Sequence, residues 1–262
     1  MPLIFSAITP HSPLLIPAIG KENYERLKNT LAAYKKLEEE LYVARPDTIV
    51  IISPHGSVQT NTFTINLQPE FTINFEEFGD FVTKINLAGD IALAHKIRGQ
   101  MEVKAPVQLV SENVLDYGSA VPLCLLTSHL PRVKIIPISY SGLDLEAHFK
   151  FGEMIKKELE INHERVAVIA SGDLSHALSK DSPAGYSANG KKFDQKLTES
   201  LLTYNTEGIL NMDSDLIHDA KECGLKSIVI LLGILAGSTY EAQLLSYESP
   251  FGVGYLTMNF KI

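Results

Sequence analysis

Four apolar runs of strand length constrain the fold of this chain more than any other feature of its sequence. Runs that are rich in β-branched residues and do not alternate are typical of strands buried on both faces of a parallel sheet. Stretches with helical periodicity recur between such runs, in the order of a layered α/β fold. We therefore predict a mixed, mostly parallel central sheet with helices on both faces. The runs are Leu3 to Ile8, Thr48 to Ile52, Val133 to Ile138 and Val166 to Ala170, and the helical stretches are Asn23 to Val43, Leu145 to Leu159 and Gly190 to Tyr204.

Shorter segments predict antiparallel strands that extend this sheet. They alternate in polarity or favour β-branched and aromatic residues, which suits half-buried strands. These segments are Thr62 to Asn66, Phe71 to Phe75, Phe81 to Asn86, and a closing hairpin formed by Glu241 to Tyr247 and Gly252 to Phe260. A chain of 262 residues with 45% hydrophobic content is long enough to bury one large core. Because no linker, repeat or low-complexity tract divides it, we interpret residues 1–262 as a single α/β domain.

Charge and cysteine content argue against several classes of protein. The formal net charge is -8, and the lysines form no cluster larger than pairs, which disfavours binding to a nucleic-acid backbone. No apolar run approaches the ~18 residues of a membrane span, and the first strand lacks the basic leader of a signal peptide. The two cysteines, Cys124 and Cys223, suit a reducing compartment. We therefore expect a cytoplasmic protein with neither nucleic acid nor membrane as a partner.

Three histidines follow three of the buried strands at the point where each strand ends. They are His11 in Thr9-Pro10-His11, His55 in Ser53-Pro54-His55-Gly56, and His176 in Ser171-Gly172-Asp173-Leu174-Ser175-His176. Ligands of open α/β sheets bind beyond the carboxyl ends of the strands. A lone histidine there more often caps a helix or bonds a backbone carbonyl, but three at one edge indicate a metal site. His11 and His55 are the predicted ligands, each aimed by a preceding proline.

The third ligand is predicted in the segment Glu222-Cys223-Gly224, which we call the elbow and which precedes the apolar run from Leu225 to Leu235. On a continuous helix His218 and Glu222 share one face, and a solvated helix that ends at Gly224 would explain most of that segment. The apolar run must be buried, however, and it draws Glu222 and Cys223 towards the interior. A buried carboxylate or thiol needs a partner, and a metal ion suits both.

The motifs resemble those of class III extradiol ring-cleavage dioxygenases, in the branch of the protocatechuate 4,5-dioxygenase β subunit and 2-aminophenol 1,6-dioxygenase. The resemblance implies a mononuclear Fe(II) held by His11, His55 and Glu222, and His176 as the acid-base residue. It implies extradiol cleavage of a catechol- or aminophenol-type aromatic with dioxygen, as in the catabolism of aromatic compounds. It also implies a homodimer or larger assembly, in some members with a separate small subunit. Zn(II) suits the same ligands and can occupy them in a purified sample.

Two departures from the dioxygenase pattern open an alternative. Tyr117 stands where many members have a histidine that contacts substrate or oxygen, and we assign it as a hydrogen-bond donor in catalysis. The Asp173-x-x-His176 spacing and the pair Cys223-Gly224 are similar to Memo-like proteins, which implies Cys223 as the alternative third ligand and a metal-binding accessory or peptide-binding protein without oxygenase turnover. Asp173 is expected to orient His176 or contact substrate. We favour Glu222 and ring cleavage; a zinc hydrolase ranks last, because no hydrolase signature is present.

Overall fold

The structure is a computed structural model that describes residues 2–101 and 105–262. In this part of the chain ten strands form one sheet. The strands are β1 (Leu3–Thr9), β2 (Thr48–Ser53), β3 (Phe63–Asn66), β4 (Glu70–Phe75), β5 (Asp80–Gly89), β6 (Val107–Val110), β7 (Lys134–Ser139), β8 (Val166–Ser171), β9 (Glu241–Glu248) and β10 (Tyr255–Lys261). The helices are α1 (Pro17–Gly20), α2 (Lys28–Ala44), α3 (Ile91–Met101), α4 (Tyr117–Leu126), α5 (Leu145–Ile161), α6 (Ala188–Leu202), α7 (Thr206–Leu210), α8 (Ser214–Ala220) and α9 (Leu225–Leu235).

The centre of the sheet is parallel, and the outer strands add antiparallel pairs. The strand order is β4, β5, β7, β2, β8, β1, β10, β9, and β3 pairs with both β6 and β7. β2 pairs in parallel with β7 and β8, and β8 pairs in parallel with β1. β4 is antiparallel to β5, and β10 is antiparallel to both β1 and β9. The predicted mixed, mostly parallel sheet with added antiparallel strands is confirmed.

Two apolar cores lie on opposite faces of the sheet, because successive side chains of a strand point to opposite sides. On β2, Val50 and Ile52 belong to the core that contains residues of α5, α6 and α9. Ile49 and Ile51 belong to the other core, which contains residues of α2 and α4. Burial on both faces explains why the central strands show no alternation of polarity, and the predicted helices on both faces are confirmed.

Three elements depart from the sequence pattern. β6 has only four residues and is too short to show a period. α4 carries Pro122 in its interior, a residue that usually ends a helix because it lacks an N–H and clashes with the preceding turn. The Asp116 side chain caps the start of α4 by accepting a hydrogen bond from the Ser119 backbone N–H at 3.0 Å. α2 also begins later than predicted, at Lys28, after a 3-10 helix.

α9 is the apolar run that follows the predicted elbow, and every residue of it except Lys226 is buried. The prediction that this run is a buried helix is confirmed. With 11 residues it is far shorter than a membrane span. Within residues 2–101 and 105–262 no helix is both long and apolar enough to cross a membrane.

α5 and α9 pack through two glycines that bring their backbones together. A Cβ atom on Gly233 would lie 2.1 Å from the carbonyl oxygen of Phe149 and 3.0 Å from Cα of Gly152. We expect Gly233→Ala to lower the free energy of unfolding by about 1–3 kcal/mol, because backbone atoms cannot move aside as a flexible side chain can. Urea unfolding followed by circular dichroism measures this. Gly99→Ala on α3 is the control: nothing lies within 4 Å of its Cβ, so it should stabilise slightly. Equal stability of the two variants would contradict this account of the helix contact.

Candidate metal centre

The predicted histidines lie on loops that follow three neighbouring parallel strands. His11 follows β1, His55 follows β2 and His176 follows β8, and β8 lies between β1 and β2 in the sheet. Their loops therefore meet at one edge. The Tyr34 hydroxyl donates a hydrogen bond to the carbonyl oxygen of Pro10 and secures the backbone before His11. The N–H of His55 donates to Ser53 Oγ at 3.2 Å, which fixes the second loop against the end of β2.

Three side chains bring metal-binding atoms together at this edge. His11 Nε2 lies 3.1 Å from His55 Nε2 and 3.5 Å from Cys223 Sγ. One ligand atom from each of the three residues lies within 4.8 Å of the other two, and this is the one such group of histidine, cysteine and acidic residues in the described part of the chain. Two imidazoles and a thiolate are suitable donors for Zn(II) and for first-row transition metals. The residues present therefore fit a metal ion.

Burial keeps both imidazoles in the form that binds metal. His11 is 1% exposed, and burial lowers the pKa of His11 to about 3. Electrostatic interaction with His176 is the second, smaller cause of this shift. Burial is also the main cause that lowers the pKa of His55 to about 4, and electrostatic interaction with His11 is the next. Both rings are consequently neutral at pH 7 and do not have to lose a proton before a metal ion binds. Burial raises the pKa of the Cys223 thiol, so this ligand has to lose its proton when a metal binds.

Cys223 reaches the histidines because two backbone segments make close contact. A Cβ atom on Gly172 would lie 2.1 Å from Cα of Gly224, so side chains on these residues would force the segments apart. The N–H groups of Cys223 and Gly224 donate to the carbonyl oxygen of Asp173 at 3.3 and 3.0 Å. The N–H of Asp173 in turn donates to Cys223 Sγ at 3.3 Å. The elbow before α9 is thereby fixed to the loop after β8.

Glu222 has a different role in the structure. Its Oε2 accepts a hydrogen bond from the N–H of Leu225 at 2.6 Å, at the first turn of α9, and burial raises the pKa of Glu222 to about 7. Glu222 does not belong to the group of converging ligand atoms found among the described residues. The expectation that His218 and Glu222 share the face of one helix is wrong, because α8 ends at Ala220 and Lys221 adopts a left-handed conformation. Gly224 precedes the first residue of α9 and does not end a helix.

Tyr117 lies against both histidines from the start of α4. Its hydroxyl oxygen is 2.8 Å from His55 Nε2, and its ring stacks on the His55 ring with 4.3 Å between centroids. It meets the His11 ring edge to face at 5.5 Å. Burial raises the pKa of Tyr117, so the phenol keeps its proton at neutral pH. Gly118 permits this packing, since a Cβ atom there would lie 3.2 Å from His55 Cδ2.

Asp173 and His176 complete the set of predicted residues. Asp173 Oδ1 accepts a hydrogen bond from the N–H of His11 at 3.0 Å, and Oδ2 lies 3.9 Å from His11 Nε2. Burial raises the pKa of Asp173 to about 6, although His176 opposes the shift. The His176 backbone is fixed, since its N–H donates to the Ala220 carbonyl at 2.9 Å. The Nδ1 atom of His176 is buried and has no hydrogen-bond partner among the described residues.

Ser171 is a member of the site to which the sequence pattern assigns no role. Its Oγ lies 2.9 Å from His11 Nδ1 and 2.5 Å from the carbonyl oxygen of Gly118. The available signal was its position, since it is the last residue of a buried strand that leads into the His176 loop. A serine at a strand end is too common to indicate a function by itself.

Comparisons with known proteins find chains that are similar to most of this one. A MEMO1 family protein of Pyrococcus furiosus is 23% identical, over 86% of this chain and 75% of the relative. Protein CA_C1420 of Clostridium acetobutylicum is 32% identical over 96% of this chain, which spans only 56% of that relative's length. The crystal structure of the uncharacterized protein JW3007 from Escherichia coli K12 has the same fold, with a TM-score of 0.69, 16% identity, and coverage of 98% of this chain and 99% of that one.

Two further matches concern dioxygenases. The 3,4-dihydroxyphenylacetate 2,3-dioxygenase of Escherichia coli is 25% identical to this chain, over 95% of this chain and 96% of the enzyme. The family model described as the catalytic LigB subunit of aromatic ring-opening dioxygenase matches residues 6–258. A match over this length includes all three histidine loops and the sheet except the first residues of β1 and the last residues of β10. The chain therefore belongs to the LigB family of aromatic ring-opening dioxygenases, the class III extradiol family.

Proposed function

We propose that this chain binds Fe(II) through His11, His55 and Cys223 and cleaves the ring of a catechol or an aminophenol with dioxygen. The observation that carries the proposal is the convergence of the three ligand atoms within 4.8 Å at the carboxyl ends of the central strands. The membership of the chain in a ring-opening dioxygenase family supports the reaction type. The cytoplasmic location and the homodimer or larger assembly remain predictions.

The third ligand in this proposal is Cys223, although the sequence favoured Glu222. The Glu222 carboxylate is engaged with the backbone of α9, whereas Cys223 Sγ lies 3.5 Å from His11 Nε2. A thiolate in place of a carboxylate retains the single negative charge of the ligand set. It is a softer donor, and it therefore increases the preference of the site for Zn(II) and copper.

Fe(II) held by His11, His55 and Cys223 would supply a Lewis-acid and redox centre for the reaction of the aromatic substrate with dioxygen. The surrounding residues transfer protons and orient the ligands and the substrate. We assign to His176, on the loop after β8, the removal of a proton from a substrate hydroxyl and its later return. Asp173 lies on the same loop as His176, and the electrostatic interaction with His176 opposes the rise that burial causes in the pKa of Asp173. Asp173 also fixes the backbone of His11.

Tyr117 is assigned to the binding of substrate. Its hydroxyl contacts His55 Nε2, the atom that would bind the metal ion. Metal binding would therefore break the hydrogen bond between Tyr117 and His55. The phenol then needs another partner, and a substrate hydroxyl or amine near the metal supplies one. We expect Tyr117→Phe to raise the KM for substrate while the affinity for metal is retained, because the variant loses a substrate contact and no ligand. Steady-state kinetics with parallel metal titration measures both, and a fall in metal affinity would contradict the assignment.

The proposed reaction is tested by purifying the protein without oxygen, loading it with Fe(II) and adding catechol, protocatechuate or 2-aminophenol in air. We expect oxygen uptake and a yellow ring-fission product, both absent from His11→Ala. His95→Ala is the control, because His95 is an exposed residue of α3 outside the site. Iron binding without oxygen uptake for any of these substrates would contradict the proposed reaction.

A second function is favoured by one observation, the cysteine in the ligand group. A Memo-like accessory protein would hold a metal in the same pocket, without oxygenase turnover, and bind a peptide or a small molecule. Tight binding of Zn(II) or copper together with no oxygen consumption in the Fe(II) form would favour this function over ring cleavage. The relative from Pyrococcus furiosus supports the comparison, since its name places it in the MEMO1 family.

A further inference from the structure

A serine at the end of β8 determines where the proton of the His11 ring lies. Ser171 Oγ is fully buried, 2.9 Å from His11 Nδ1 and 2.5 Å from the Gly118 carbonyl oxygen. A carbonyl oxygen only accepts hydrogen bonds, so the single hydroxyl proton of Ser171 must point towards Gly118. The Ser171 oxygen then acts as the acceptor for His11. His11 Nδ1 must therefore carry the proton that this oxygen accepts.

The Gly118 carbonyl is free to accept this proton because of the proline inside α4. In an α-helix the carbonyl of each residue accepts a hydrogen bond from the N–H four residues later. The residue four positions after Gly118 is Pro122, which has no N–H. Ser171 supplies the missing donor from a different element of the fold. Pro122 is unfavourable inside a helix, but it leaves the Gly118 carbonyl free to bind Ser171, and Ser171 contacts His11 in the metal site.

We propose that Ser171 is a positioning residue that fixes the tautomer of His11 and so prepares its Nε2 atom for the metal. With the proton on Nδ1, the lone pair of Nε2 is free, and Nε2 lies 3.1 Å from His55 Nε2 and 3.5 Å from Cys223 Sγ. Without the serine a proton on Nε2 competes with the metal. Metal-binding histidines commonly donate their second ring N–H to a carboxylate, a carbonyl or water; here a serine, itself held by a helix carbonyl, takes that role. The inference rests on the metal site proposed above.

The effect on metal binding is measured with Zn(II) or Co(II) alone, in competition with a chromophoric chelator. We expect Ser171→Ala to bind either metal about 10- to 100-fold more weakly than the unchanged protein, the cost typical of losing a group that orients a ligand. Ser227→Ala is the matched control. Ser227 is also fully buried, but its hydroxyl has no hydrogen-bond partner among the described residues, so its removal should leave metal affinity unchanged.

The tautomer is read directly from the nitrogen resonances of ¹⁵N-labelled histidine in the metal-free protein, assigned with a His11→Gln variant. We expect a protonated Nδ1 and an unprotonated Nε2 for His11, and a shift of the proton towards Nε2 in Ser171→Ala. A proton on Nε2 in the unchanged protein would overturn the proposal, even if the alanine variant does not fold. An alanine variant with unchanged tautomer and affinity would overturn it as well. Because this measurement needs neither metal nor turnover, it is independent of whether the protein cleaves aromatic rings.

Discussion

Cys223→Ala is expected to abolish tight binding of Fe(II), Co(II) and Zn(II), with a loss of affinity of more than about 100-fold. Changes to groups that merely orient a ligand already cost about 10- to 100-fold, and removal of a ligand costs more. The expected loss follows from the position of Cys223 Sγ, 3.5 Å from His11 Nε2 within the converging group. Competition titration with a chelator measures the affinity of each metal.

Glu222→Gln is the matched variant on the neighbouring residue. The amide oxygen of glutamine can still accept the hydrogen bond from the N–H of Leu225, so the start of α9 is preserved. We expect its metal affinity to be little changed. If Glu222→Gln loses the metal and Cys223→Ala keeps it, the carboxylate is the ligand, and the proposed ligand set is wrong. If both variants keep the metal, the third ligand does not come from this elbow.

A spectroscopic measurement separates loss of a ligand from a general disturbance of the loop. Thiolate bound to Co(II) gives a charge-transfer absorption band in the near ultraviolet. We expect this band in the unchanged protein and in Glu222→Gln, and its absence in Cys223→Ser, in which a smaller hydroxyl oxygen replaces the sulfur. A band that persists in Cys223→Ser would have to come from Cys124, which lies on α4 and outside the ligand group.

The parts of the fold that sequence predicts well are those fixed by burial alone. The central strands are apolar on both sides because helices cover both faces, and this makes them recognisable without a structure. Placing His11, His55 and His176 at one edge of the sheet followed from the same pattern. The carboxyl ends of neighbouring parallel strands necessarily lie together, so three strand-end histidines lie together too.

The choice between Glu222 and Cys223 as the third ligand cannot be predicted from burial, because it depends on the backbone conformation of a few residues. Lys221 turns to a positive φ of 53°, and this ends α8 one turn before the point that helical periodicity suggests. The contact between Gly172 and Gly224 then directs Cys223 towards the histidines. A lysine in the left-handed region carries no sequence signal, and a contact between glycines 52 positions apart cannot be read from local pattern.

α4 illustrates a second limit of prediction from sequence. The segment contains Pro122, which argues against a helix when only local preferences are considered. In the structure the carbonyl that the proline leaves without a donor is satisfied from β8, by Ser171. Tyr117 reaches His55 only because this helix forms. The role of Ser171 and the position of Tyr117 thus depend on a tertiary contact that offsets an unfavourable local one.

His176→Ala is expected to lower kcat for ring cleavage by about 10²- to 10⁴-fold, the range typical of a general acid-base group, while metal binding is retained. Retention is expected because His176 does not belong to the group of ligand atoms. Single-turnover mixing of the Fe(II)-loaded variant with a catechol and dioxygen measures the chemical step. The metal content of the same sample is determined alongside.

Two further variants show whether the loss comes from proton transfer. His176→Gln restores a polar side chain that can hydrogen-bond but cannot transfer protons near neutral pH, so it should remain as slow as the alanine variant. Added imidazole should restore part of the rate in His176→Ala, because it can supply a proton acceptor to the space left by the ring. His218→Ala is the control, since His218 is exposed on α8. Full activity in His176→Gln would show that His176 only positions the substrate and would contradict its assignment as the acid-base residue.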